Sequence, residues 1–405
     1  MLAFAHNALD WIAPFLFVLT LIVTVHELGH FLVARSLGVA IDSFSIGFGR
    51  AVLHWRDRSG VNWRLGWLPL GGYVRFAGDE NAASVPDADD LVELRRAIIA
   101  EEGASAVGKY YHFKPVWQRA LIAVAGPFAN FLLATVLFAT VLMTVGRPVQ
   151  PARVDTVTPA SAAAAAGFRS GDLVLKADGR PIGGFEDLQR FVAPRAGQPI
   201  TFVVRRGGVL VDLVATPARG MVTDQLDRRR PGGMLGLANT PTLADQVRHR
   251  YAPLPALGEG VALTWEVLKT TVYTISEMVQ GHLSPANLSG PLGIAQASHA
   301  FAQAGAEGAH GLSEQLWGGF INLLGFSAVI SVGIGFMNLL PIPMLDGGHL
   351  LFYAYEAVAR RPVGAAVQSV SYRVGLALLL GLMLFATTND LQRSSVFHFL
   401  GGLFS

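Results

Sequence analysis

Four stretches of the chain are apolar over a length suited to a lipid bilayer. The first three occupy residues 11–34, 120–146 and 318–340, and a shorter one occupies 374–388. The last three of these contain no Asp, Glu, Lys or Arg. About 20 predominantly apolar residues are enough for one transmembrane helix. The pattern therefore predicts a polytopic α-helical membrane protein with four transmembrane helices.

A different pattern follows the first apolar stretch. Residues 44–76 alternate apolar or aromatic with polar positions around a turn signal at Ser59-Gly60, which is typical of β-hairpins. Such backbone lies at membrane depth only where protein or a watery cavity satisfies its polar groups, so we expect a membrane-associated β-hairpin region. The polar segment 79–114 is expected to be a solvated cytoplasmic insert, and the alternative is a short amphipathic helix at 89–102.

Residues 150–217 have the pattern of an inserted α+β domain. Short β-type runs flank a helical run at 185–192, and two of them, 200–205 and 209–214, surround a Gly-containing turn. The order of these elements and the segment Ala-Gly-Phe-Arg-Ser-Gly-Asp at 166–172 resemble a bacterial PDZ domain. Such a domain binds an extended peptide tail as an added strand. The alternative is a plain α+β module.

The segment between this domain and the third apolar stretch is harder to assign. Residues 218–256 are rich in Gly, Pro and Arg and predict a linker, and 282–311 is predicted to be a loop because small residues dominate it. Residues 257–280 have helical length, but four charged side chains argue against a span. We therefore expect an amphipathic helix near the membrane surface. The four charged residues are Glu259, Glu266, Lys269 and Glu277.

Composition and charge narrow the class of protein. The 405 residues are 52% hydrophobic and 15% charged, against about 25% charged in soluble domains, and the mean hydropathy is +0.43. A net charge of +2, without an interleaved basic and aromatic patch, argues against nucleic acid as a partner. Because the chain has no cysteine, disulfides are excluded and a zinc site would have to use His, Asp or Glu.

The distribution of basic residues predicts the orientation in the membrane. No Lys or Arg precedes Arg35, which directly follows the first apolar stretch. Because basic residues flank spans on the cytoplasmic side, we expect the N-terminus outside and residue 35 onward in the cytoplasm. Arg360, Arg361 and Arg373 then mark a second cytoplasmic loop. Four spans place the PDZ-like domain and both termini in the periplasm of a bacterial inner membrane, with lipid around the spans.

The first apolar stretch contains the sequence His26-Glu27-Leu28-Gly29-His30. At about 100° per residue, the two imidazoles and the carboxylate share one narrow face of a helix. Two neutral nitrogen ligands beside a carboxylate base are what zinc-dependent hydrolysis needs. The same pattern arises by chance in soluble helices, but ionisable groups at membrane depth are costly and usually functional. We therefore predict a metal site in the cytoplasmic half of the membrane.

An open catalytic zinc site needs a third protein ligand, and the end of the third apolar stretch offers one. Pro341 and Pro343 break the helix just ahead of Asp346, which lies at the same predicted depth as the histidine motif. His349, beyond the Gly-Gly pair, is a competing candidate. Asn338 is placed to hydrogen-bond a substrate backbone or the oxyanion that develops at a hydrolysed carbonyl.

The second apolar stretch contains Gly126, Pro127 and Asn130 in its interior. A proline inside a membrane helix is tolerated when neighbouring groups satisfy the freed carbonyl, and small residues permit close approach of helices. For Asn130 two interpretations stay open. It hydrogen-bonds toward the metal motif, or it makes a structural contact between helices.

The motifs at 26–30 and 338–347 together resemble those of the site-2 protease family of intramembrane zinc metalloproteases, and within it the bacterial RseP type. The resemblance covers most of the chain. It departs at one point, because a single PDZ-like domain stands where the RseP type usually has two in tandem. Further similarity lies in Leu70-Gly-Gly-Tyr-Val74, Arg119-Ala120, Gly126-Pro-Phe-Ala-Asn-Phe131 and Leu288-Ser-Gly-Pro-Leu-Gly-Ile294.

This resemblance implies that one zinc ion is bound by His26, His30 and Asp346, with Glu27 as the catalytic base. It also implies that the hairpin at 44–76 is embedded in the membrane. An edge strand of this hairpin is expected to hold an unwound substrate by β-pairing. The candidate residues of this strand are Gly71, Gly72, Tyr73 and Val74.

The resulting hypothesis is an intramembrane zinc metalloprotease that cleaves transmembrane segments in regulated intramembrane proteolysis. Its substrate is expected to be a single-span protein already trimmed outside, such as an anti-sigma factor or a signal-peptide remnant. The alternative is a non-catalytic membrane scaffold whose PDZ-like domain gathers peptide tails. Its structural metal site would be closed by four protein ligands, His349 included. A metal transporter is disfavoured because the chain shows no inverted repeat.

The predicted organisation follows these elements along the chain. Spans alternate with extramembrane segments, and the PDZ-like domain lies between the second and third spans. In order, the parts are a first transmembrane helix with the histidine motif (1–35), a cytoplasmic loop with membrane-associated β-hairpins (36–118), a second transmembrane helix (119–147), a PDZ-like domain (150–217), a linker with an amphipathic helix (218–317), a third transmembrane helix with the Asp346 motif (318–350), a cytoplasmic loop (351–373), a fourth transmembrane helix (374–390) and a tail (391–405).

Overall fold

A computed structural model of the protein describes residues 2–78, 88–223, 229–240, 247–284, 289–307 and 311–393. The chain divides into two compact units. The smaller unit is Leu142–Ala252, and the larger unit consists of the chain before and after it. The first part of the predicted cytoplasmic insert, 79–87, and the predicted tail beyond Arg393 lie outside the described residues.

Helices form most of the larger unit, and two short ones belong to the smaller unit. Short 3-10 turns occupy Ala104–Lys109, Tyr111–Phe113 and Ala193–Arg195. The described α-helices in chain order are α1 (Leu2–Ser36), α2 (Ala88–Glu102), α3 (Val116–Thr144), α4 (Ala162–Ala165), α5 (Phe185–Val192), α6 (Pro253–Val279), α7 (Pro291–Ala306), α8 (Leu312–Asn338), α9 (Asp346–Ala359) and α10 (Ala365–Arg393).

Strands form a hairpin in the larger unit and most of the smaller unit. The hairpin consists of β1 (Ile41–Arg56) and β2 (Asn62–Phe76). The described strands of the smaller unit are β3 (Arg147–Val149), β4 (Thr156–Val157), β5 (Leu173–Ala177), β6 (Arg180–Pro181), β7 (Ile200–Arg206), β8 (Val209–Ala215), β9 (Ala218–Thr223), β10 (Arg229–Met234), β11 (Leu237–Ala238) and β12 (Val247–His249).

Four of the described helices are long and apolar enough to cross a membrane, which confirms the prediction of a mostly helical membrane protein with four spans. They cover Trp11–Ser36, Val116–Thr144, Leu312–Asn338 and Ala366–Gln392. The fourth helix is longer than the apolar run 374–388 that predicts it, because it continues into more polar residues at both ends.

After the third span, the structure agrees with one expectation and differs from another. The helix break expected at Pro341 and Pro343 is present, because α8 ends at Asn338 and the chain resumes a helix at Asp346, within the part assigned to 318–350. Each proline lacks a backbone N–H and cannot continue the helical ladder. The predicted loop 351–373 is also largely helical, because α9 and α10 are separated only by a short turn. Arg360 and Arg361 lie in that turn, whereas Arg373 lies within α10.

The hairpin β1–β2 is folded back on itself. The two strands pair antiparallel overall, with residues 43–46 opposite 72–75 and residues 53–56 opposite 62–65. Residues 43–46 also lie opposite 62–65, and in this third pairing both residue numbers increase together. Among the described residues, the segment 72–74 therefore lies at one edge of the hairpin and pairs with a strand on one side only. This β-rich region packs against α1 through Phe31.

The helix α6 packs against a span, although the sequence predicts a helix near the membrane surface. A Cβ added to Gly260 would lie 2.6 Å from the carbonyl oxygen of Thr135 on α3, and the hydroxyls of Thr135 and Thr264 are 3.1 Å apart. Ala256, one turn before Gly260, is also buried. A stripe of small residues thus brings α6 onto α3, as in helix pairs within membranes.

The predicted loop at 282–311 is wrong over α7. This helix packs along α8, where a Cβ added to Gly305 would touch the backbone of Gly318. Small residues in a soluble protein often indicate a loop, but between membrane helices they allow close backbone approach. The composition that suggests a loop is therefore that of a helix–helix contact.

The smaller unit is built on a four-stranded sheet in the order β6-β5-β7-β8, in which neighbouring strands pair antiparallel. The helix α5 contributes Leu188 and Phe191 to a buried cluster that also contains Phe202 and Val204 of β7. Asp172, just before β5, is buried and accepts hydrogen bonds from Arg206. Burial is the largest single influence and opposes ionisation of this carboxyl. The hydrogen bonds from Arg206 and from the backbone N–H of Arg169, together with the charges of both arginines, outweigh burial and hold the pKa of Asp172 below its usual range.

The segment 218–256, predicted to be a linker, contains paired strands over much of its described length. β9 pairs with β10, β11 pairs with β4, and β12 pairs with β3. These strands are hidden in the sequence because ladder hydrogen bonds involve only the backbone and do not require apolar side chains. The pair β3–β12 joins the two ends of the smaller unit.

Candidate metal centre

α1 carries both histidines of the sequence motif. His26 and His30 are about one helical turn apart, and their Nε2 atoms are 3.1 Å from each other. Asp346, the first residue of α9, lies beside them. Its Oδ2 is 3.1 Å from Nε2 of His26, and its Oδ1 is 3.5 Å from Nε2 of His30. One possible ligand atom from each of the three residues lies within 4.8 Å of the others, so the predicted ligands converge.

Two glycines allow α1 and α3 to meet at this point. A Cβ added to Gly126 would touch Nε2 of His30 and would lie 2.8 Å from Cε1 of His26. A Cβ added to Gly29 would lie 2.7 Å from the Cβ of Ala129. Such distances are shorter than van der Waals contact, so neither position has room for a side chain. The two imidazoles occupy the space that a side chain at position 126 would fill.

The ring of His30 is oriented by the backbone of α3. Its Nδ1 lies 2.8 Å from the carbonyl oxygen of Ile122. A carbonyl oxygen can only accept, so Nδ1 carries the proton and donates it. In the neutral ring Nε2 then has a free lone pair, and this is the nitrogen that faces Asp346. The ring of His30 is therefore held in the state that a metal ligand requires.

Amide side chains from two other spans flank His26. Nδ2 of Asn338, the last residue of α8, is 3.5 Å from Nε2 of His26. Nδ2 of Asn130, buried on α3, is 3.3 Å from Nδ1 of His26. Asn338 thus lies beside the metal-ligand group, where the sequence predicts it. Both interpretations that the sequence left open for Asn130 apply. Its side chain is directed toward the metal motif, and the same contact joins α3 to α1.

The turn between α8 and α9 delivers Asp346 to the histidines. Met344 has a φ of 89°, a conformation that non-glycine residues rarely adopt. A Cβ added to Gly347 would touch the carbonyl oxygen of Leu340, and one added to Gly348 would lie 2.8 Å from the carbonyl carbon of Ile342. The Gly-Gly pair is therefore needed because the turn folds back closely onto the first residues of α9.

His349 lies outside the metal-ligand group. Among the described residues, the group contains His26, His30 and Asp346. Nδ1 of His349 is instead 3.3 Å from the hydroxyl of Tyr372 on α10, and the two rings pack against each other. The four-ligand structural site that a scaffold function would need is therefore not formed in the described part of the chain.

The carboxylate of Glu27 faces the hairpin. Its Oε2 accepts a hydrogen bond from the backbone N–H of Val74, at 3.1 Å. A Cβ added to Gly71 would lie 2.9 Å from Cγ1 of Val23, so β2 runs close to α1. In a strand, a residue directs its N–H and C=O to the same side. Because the N–H of Val74 points to Glu27, the edge of segment 72–74 that does not pair with β1 faces Glu27.

The residues present fit a zinc ion. Two imidazole nitrogens and one carboxylate oxygen provide three protein ligands, as in catalytic zinc sites that keep a fourth position open. Oδ2 of Asp346 is buried and accepts no well-formed hydrogen bond from the described residues. A buried carboxylate oxygen of this kind requires a positive partner. The glycine at position 126 leaves room for both imidazoles beside α3.

Sequence reasoning identifies Asn130 and the small residues of α3, but it misses the contacts of Ile122 and Gly126 with the imidazoles. Ile122 contributes through its backbone carbonyl, so its residue type gives no signal, and Gly126 contributes through the lack of a side chain. The one available signal is spacing, because 122, 126 and 130 are four residues apart and lie on one face of a helix. Recognising it requires knowing that this face meets the histidine motif.

Comparison with known proteins agrees with this geometry. The sequence profile of peptidase family M50 matches residues 14–382. Metalloprotease MmpA of Caulobacter vibrioides is 49% identical over 390 residues, which cover 96% of this chain and 97% of the relative. The regulator of sigma-E protease RseP of Salmonella typhimurium is 30% identical over 477 aligned residues, which cover 94% of this chain and 98% of the relative.

A solved PDZ domain of an SdrC-like protein from Listeria innocua aligns with 26% of this chain and 98% of its own length. Its identity of 14% and TM-score of 0.18 are too low to support an inference about this chain. The family match, in contrast, includes the histidine motif, Asn338 and Asp346 within one continuous range. The chain therefore belongs to peptidase family M50, the site-2 proteases, and is an intramembrane metalloprotease with zinc as its cofactor.

Proposed function

We propose that His26, His30 and Asp346 bind the zinc ion, and that Glu27 is the catalytic base in the hydrolysis of a peptide bond within a transmembrane segment. One observation carries this proposal. Ligand atoms of two histidines and an aspartate converge within 4.8 Å, and the histidines lie inside an apolar helix long enough to span a membrane. A hydrolytic site at that depth is accessible to substrates that are themselves in the membrane.

Each residue of this site has a defined task. A zinc ion bound there would act as a Lewis acid and make water a nucleophile at neutral pH. The carboxylate of Glu27 would take the proton from the attacking water and return it to the nitrogen of the leaving amine. The N–H of Val74 holds that carboxylate in position. The Nδ2 of Asn338, beside His26, would donate to the scissile carbonyl oxygen as negative charge develops on it.

A transmembrane substrate must be unwound before it can be cleaved, because each of its carbonyl groups is hydrogen-bonded within the helix. The segment Gly71-Gly72-Tyr73-Val74 would bind the unwound stretch as an added strand. This role is supported by the pairing of 72–74 with β1 on one side only, among the described residues, and by the contact of Val74 with Glu27. Neither glycine has a side chain that would obstruct the approach of a substrate backbone.

The substrate class follows from where the site lies. A single-span protein already trimmed outside, such as an anti-sigma factor or a signal-peptide remnant, would offer one helix with little extramembrane mass on one side. The smaller unit would act on such tails as a periplasmic PDZ-like domain, either by excluding bulky ones or by binding a peptide that activates cleavage. The alignment with RseP runs over 477 residues, more than the 405 of this chain, which supports a single-PDZ variant.

The protein is an inner-membrane protein in this proposal, with its N- and C-termini in the periplasm. The absence of Lys and Arg before Arg35 and the basic pair Arg360-Arg361 support this orientation. α1 and α8 then both run inward, so His26 and Asn338 come to the same depth in the cytoplasmic half of the membrane.

The catalytic role of Glu27 is tested with Glu27→Gln. This variant should keep one zinc ion per chain, because the amide is nearly isosteric and the three ligands are unchanged. Cleavage of a co-expressed transmembrane reporter should fall about 10²- to 10⁴-fold, the usual contribution of a general base. Metal analysis of the purified protein and immunoblotting of the reporter measure the two quantities. Proteins that co-purify with the inactive variant would identify substrates.

The matched control is Glu93→Gln, at an exposed position on α2 away from the histidine motif. It makes the same chemical change and should leave zinc content and cleavage at wild-type values. Undiminished cleavage by Glu27→Gln would rule out the proposed base. Loss of zinc by this variant would instead show that Glu27 is needed for the metal and not only for proton transfer.

A further inference from the structure

The side chain of Asn130 occupies a position that the proposed chemistry leaves unexplained. It is fully buried on α3, and its Nδ2 lies 3.3 Å from Nδ1 of His26. Its backbone carbonyl accepts the hydroxyl of Ser331 on α8, at 2.8 Å. The residue is thus fixed between three spans, and its amide is directed at the ring of a proposed ligand.

The proton of His26 must be on Nδ1 if Nε2 is to bind a metal. Nε2 is the atom that lies near Asp346 and His30, at 3.1 Å from each. A neutral imidazole carries one proton, so a free lone pair on Nε2 places that proton on Nδ1. An amide nitrogen cannot accept it, whereas an amide oxygen can. The group that faces Nδ1 therefore decides whether His26 can act as a ligand through Nε2.

The oxygen end of the same amide is free. Oδ1 of Asn130 is buried and has no hydrogen-bond partner among the described residues. Half a turn about the last side-chain bond exchanges the two ends, which have nearly the same shape. It sacrifices no hydrogen bond that Oδ1 now makes, and it puts an acceptor opposite Nδ1 of His26. The buried amide and the metal-binding ring are then satisfied by the same bond.

In both histidines, Nδ1–H would then donate a hydrogen bond to an acceptor on α3. The carbonyl oxygen of Ile122 accepts Nδ1–H of His30. Asn130, two turns along the same face, would accept Nδ1–H of His26. Gly126 lies midway between them and leaves room for both rings. One stripe of α3 at 122, 126 and 130 thus orients both imidazoles.

We propose that Asn130 is a positioning residue for the metal site, whose Oδ1 accepts Nδ1–H of His26 and so fixes the ring and tautomer that bind zinc through Nε2. Partners of this kind typically change metal affinity about 10- to 100-fold when they are removed. The inference rests on the proposed ligand set, and it goes beyond that set by assigning the group that holds one ligand in its binding state.

Two substitutions of similar size separate this role from a structural one. Asn130→Asp keeps an oxygen opposite Nδ1, and Asn130→Leu removes every acceptor. Zinc affinity of the purified full-length protein, measured by competition with a chelator, should stay within a few-fold of wild type in Asn130→Asp. It should fall about 10- to 100-fold in Asn130→Leu. A packing role predicts the reverse order, because a carboxylate is costlier than leucine inside a membrane.

Thr135→Val is the matched control for loss of a polar contact between helices. Thr135 is on the same helix and hydrogen-bonds Thr264 on α6. This variant should bind zinc as tightly as wild type. Wild-type affinity in Asn130→Leu, or an equal loss in both Asn130 variants, would overturn the proposal. His30→Ala tests the ligand set separately, because unchanged zinc binding there would contradict the set itself.

A direct measurement does not depend on how the variants fold. In zinc-loaded wild-type protein labelled with ¹⁵N-histidine, the proposal expects a protonated Nδ1 and a metal-bound Nε2 for His26. The signals of His26 are assigned in the wild-type protein itself, by sequential correlation through the backbone of Val25 and Glu27. A His26 ring with its proton on Nε2, or with Nδ1 bound to the metal, would overturn the proposal.

Discussion

At the scale of single residues, the site depends as much on an absent side chain as on the ligands. Gly126 is the point where α3 passes the two imidazoles, and a Cβ there would overlap with them. His30 cannot simply turn aside, because its Nδ1–H is bonded to Ile122 on the same helix. A small substitution at this glycine therefore acts directly on the geometry of the two histidines that are proposed as metal ligands.

Gly126→Ala should lower zinc affinity about 10- to 100-fold and reduce cleavage, because the new methyl group displaces at least one imidazole. Chelator competition and the reporter assay measure these effects. Gly333→Ala on α8 is the control, since a Cβ there meets nothing within 4 Å among the described residues. If both alanine variants bind zinc equally well, the close contact at Gly126 does not constrain the ligands.

The residues proposed to do the chemistry are more visible in the sequence than those proposed to position them. His26 and His30 are conspicuous because their spacing matches a helical turn inside an apolar run, and Asp346 because it follows two prolines at a span end. Ile122 contributes only its backbone, and backbone acceptors have no signature in residue type. Such contributions depend on which helix faces meet, which one sequence does not record.

At the scale of elements, α9 carries Asp346 and is held from both sides. On one side, Arg119 of α3 forms an ion pair with Glu356 at 2.7 Å and lies over the ring of Tyr353. On the other side, α10 packs on the turn before α9, where a Cβ on Gly375 would touch the carbonyl oxygen of Pro343. The position of the third proposed ligand therefore depends on two helices that provide no ligand.

Gly375→Ala should weaken zinc binding and cleavage, because α10 and the turn that precedes Asp346 cannot both keep their places. A Cβ at 375 would also lie 2.9 Å from the carbonyl carbon of Pro343, so the conflict is with backbone. Gly381→Ala on the same helix has open space around it. Both changes raise helix propensity by about 1 kcal/mol, so that effect cancels in the comparison.

The comparison between Gly375→Ala and Gly381→Ala uses zinc affinity and reporter cleavage in the same preparations. Gly381→Ala should match wild type in both. Equal behaviour of the two variants would mean that α10 does not constrain the turn, and that Asp346 is positioned by α3 and α8 alone.

Elements are predictable from the sequence where lipid dictates their composition. All four spans are predicted, because a helix in lipid must be apolar over its whole length. The sequence prediction misses α7 and the strands of 218–256 for two different reasons. Small residues in α7 form helix contacts but look like loop, and the strands pair through backbone groups that leave no apolar pattern. The helix α9 is missed because two arginines at its end suggest a loop.

At the scale of the whole molecule, the site joins residues from both ends of the chain. The histidines are on the first span, and Asp346 follows the third, with the entire smaller unit between them in sequence. In the cytoplasmic half of the membrane, these residues reach the same depth only if α1 and α8 cross the membrane in the same direction. The proposed topology is therefore a requirement of the site as well as a consequence of the basic residues.

This topology can be tested with single cysteines, because the natural chain contains none. Ser36→Cys, at the exposed end of α1, and Pro362→Cys, in the exposed turn between α9 and α10, should be cytoplasmic. Ser170→Cys, on the surface of the smaller unit, should be periplasmic. A membrane-impermeant maleimide should label only Ser170→Cys in intact spheroplasts, and all three variants after permeabilisation.

The parent chain without cysteine controls for background labelling, and reporter cleavage by each variant shows that it is correctly inserted. Labelling of both Ser36→Cys and Pro362→Cys from outside would show that the protein has the opposite orientation, with the site in the other half of the membrane. Labelling of only one of these two positions would contradict the proposed ligand set as well as the orientation. It would put α1 and α8 in opposite directions, and the proposed ligands could then share a depth only near the bilayer centre.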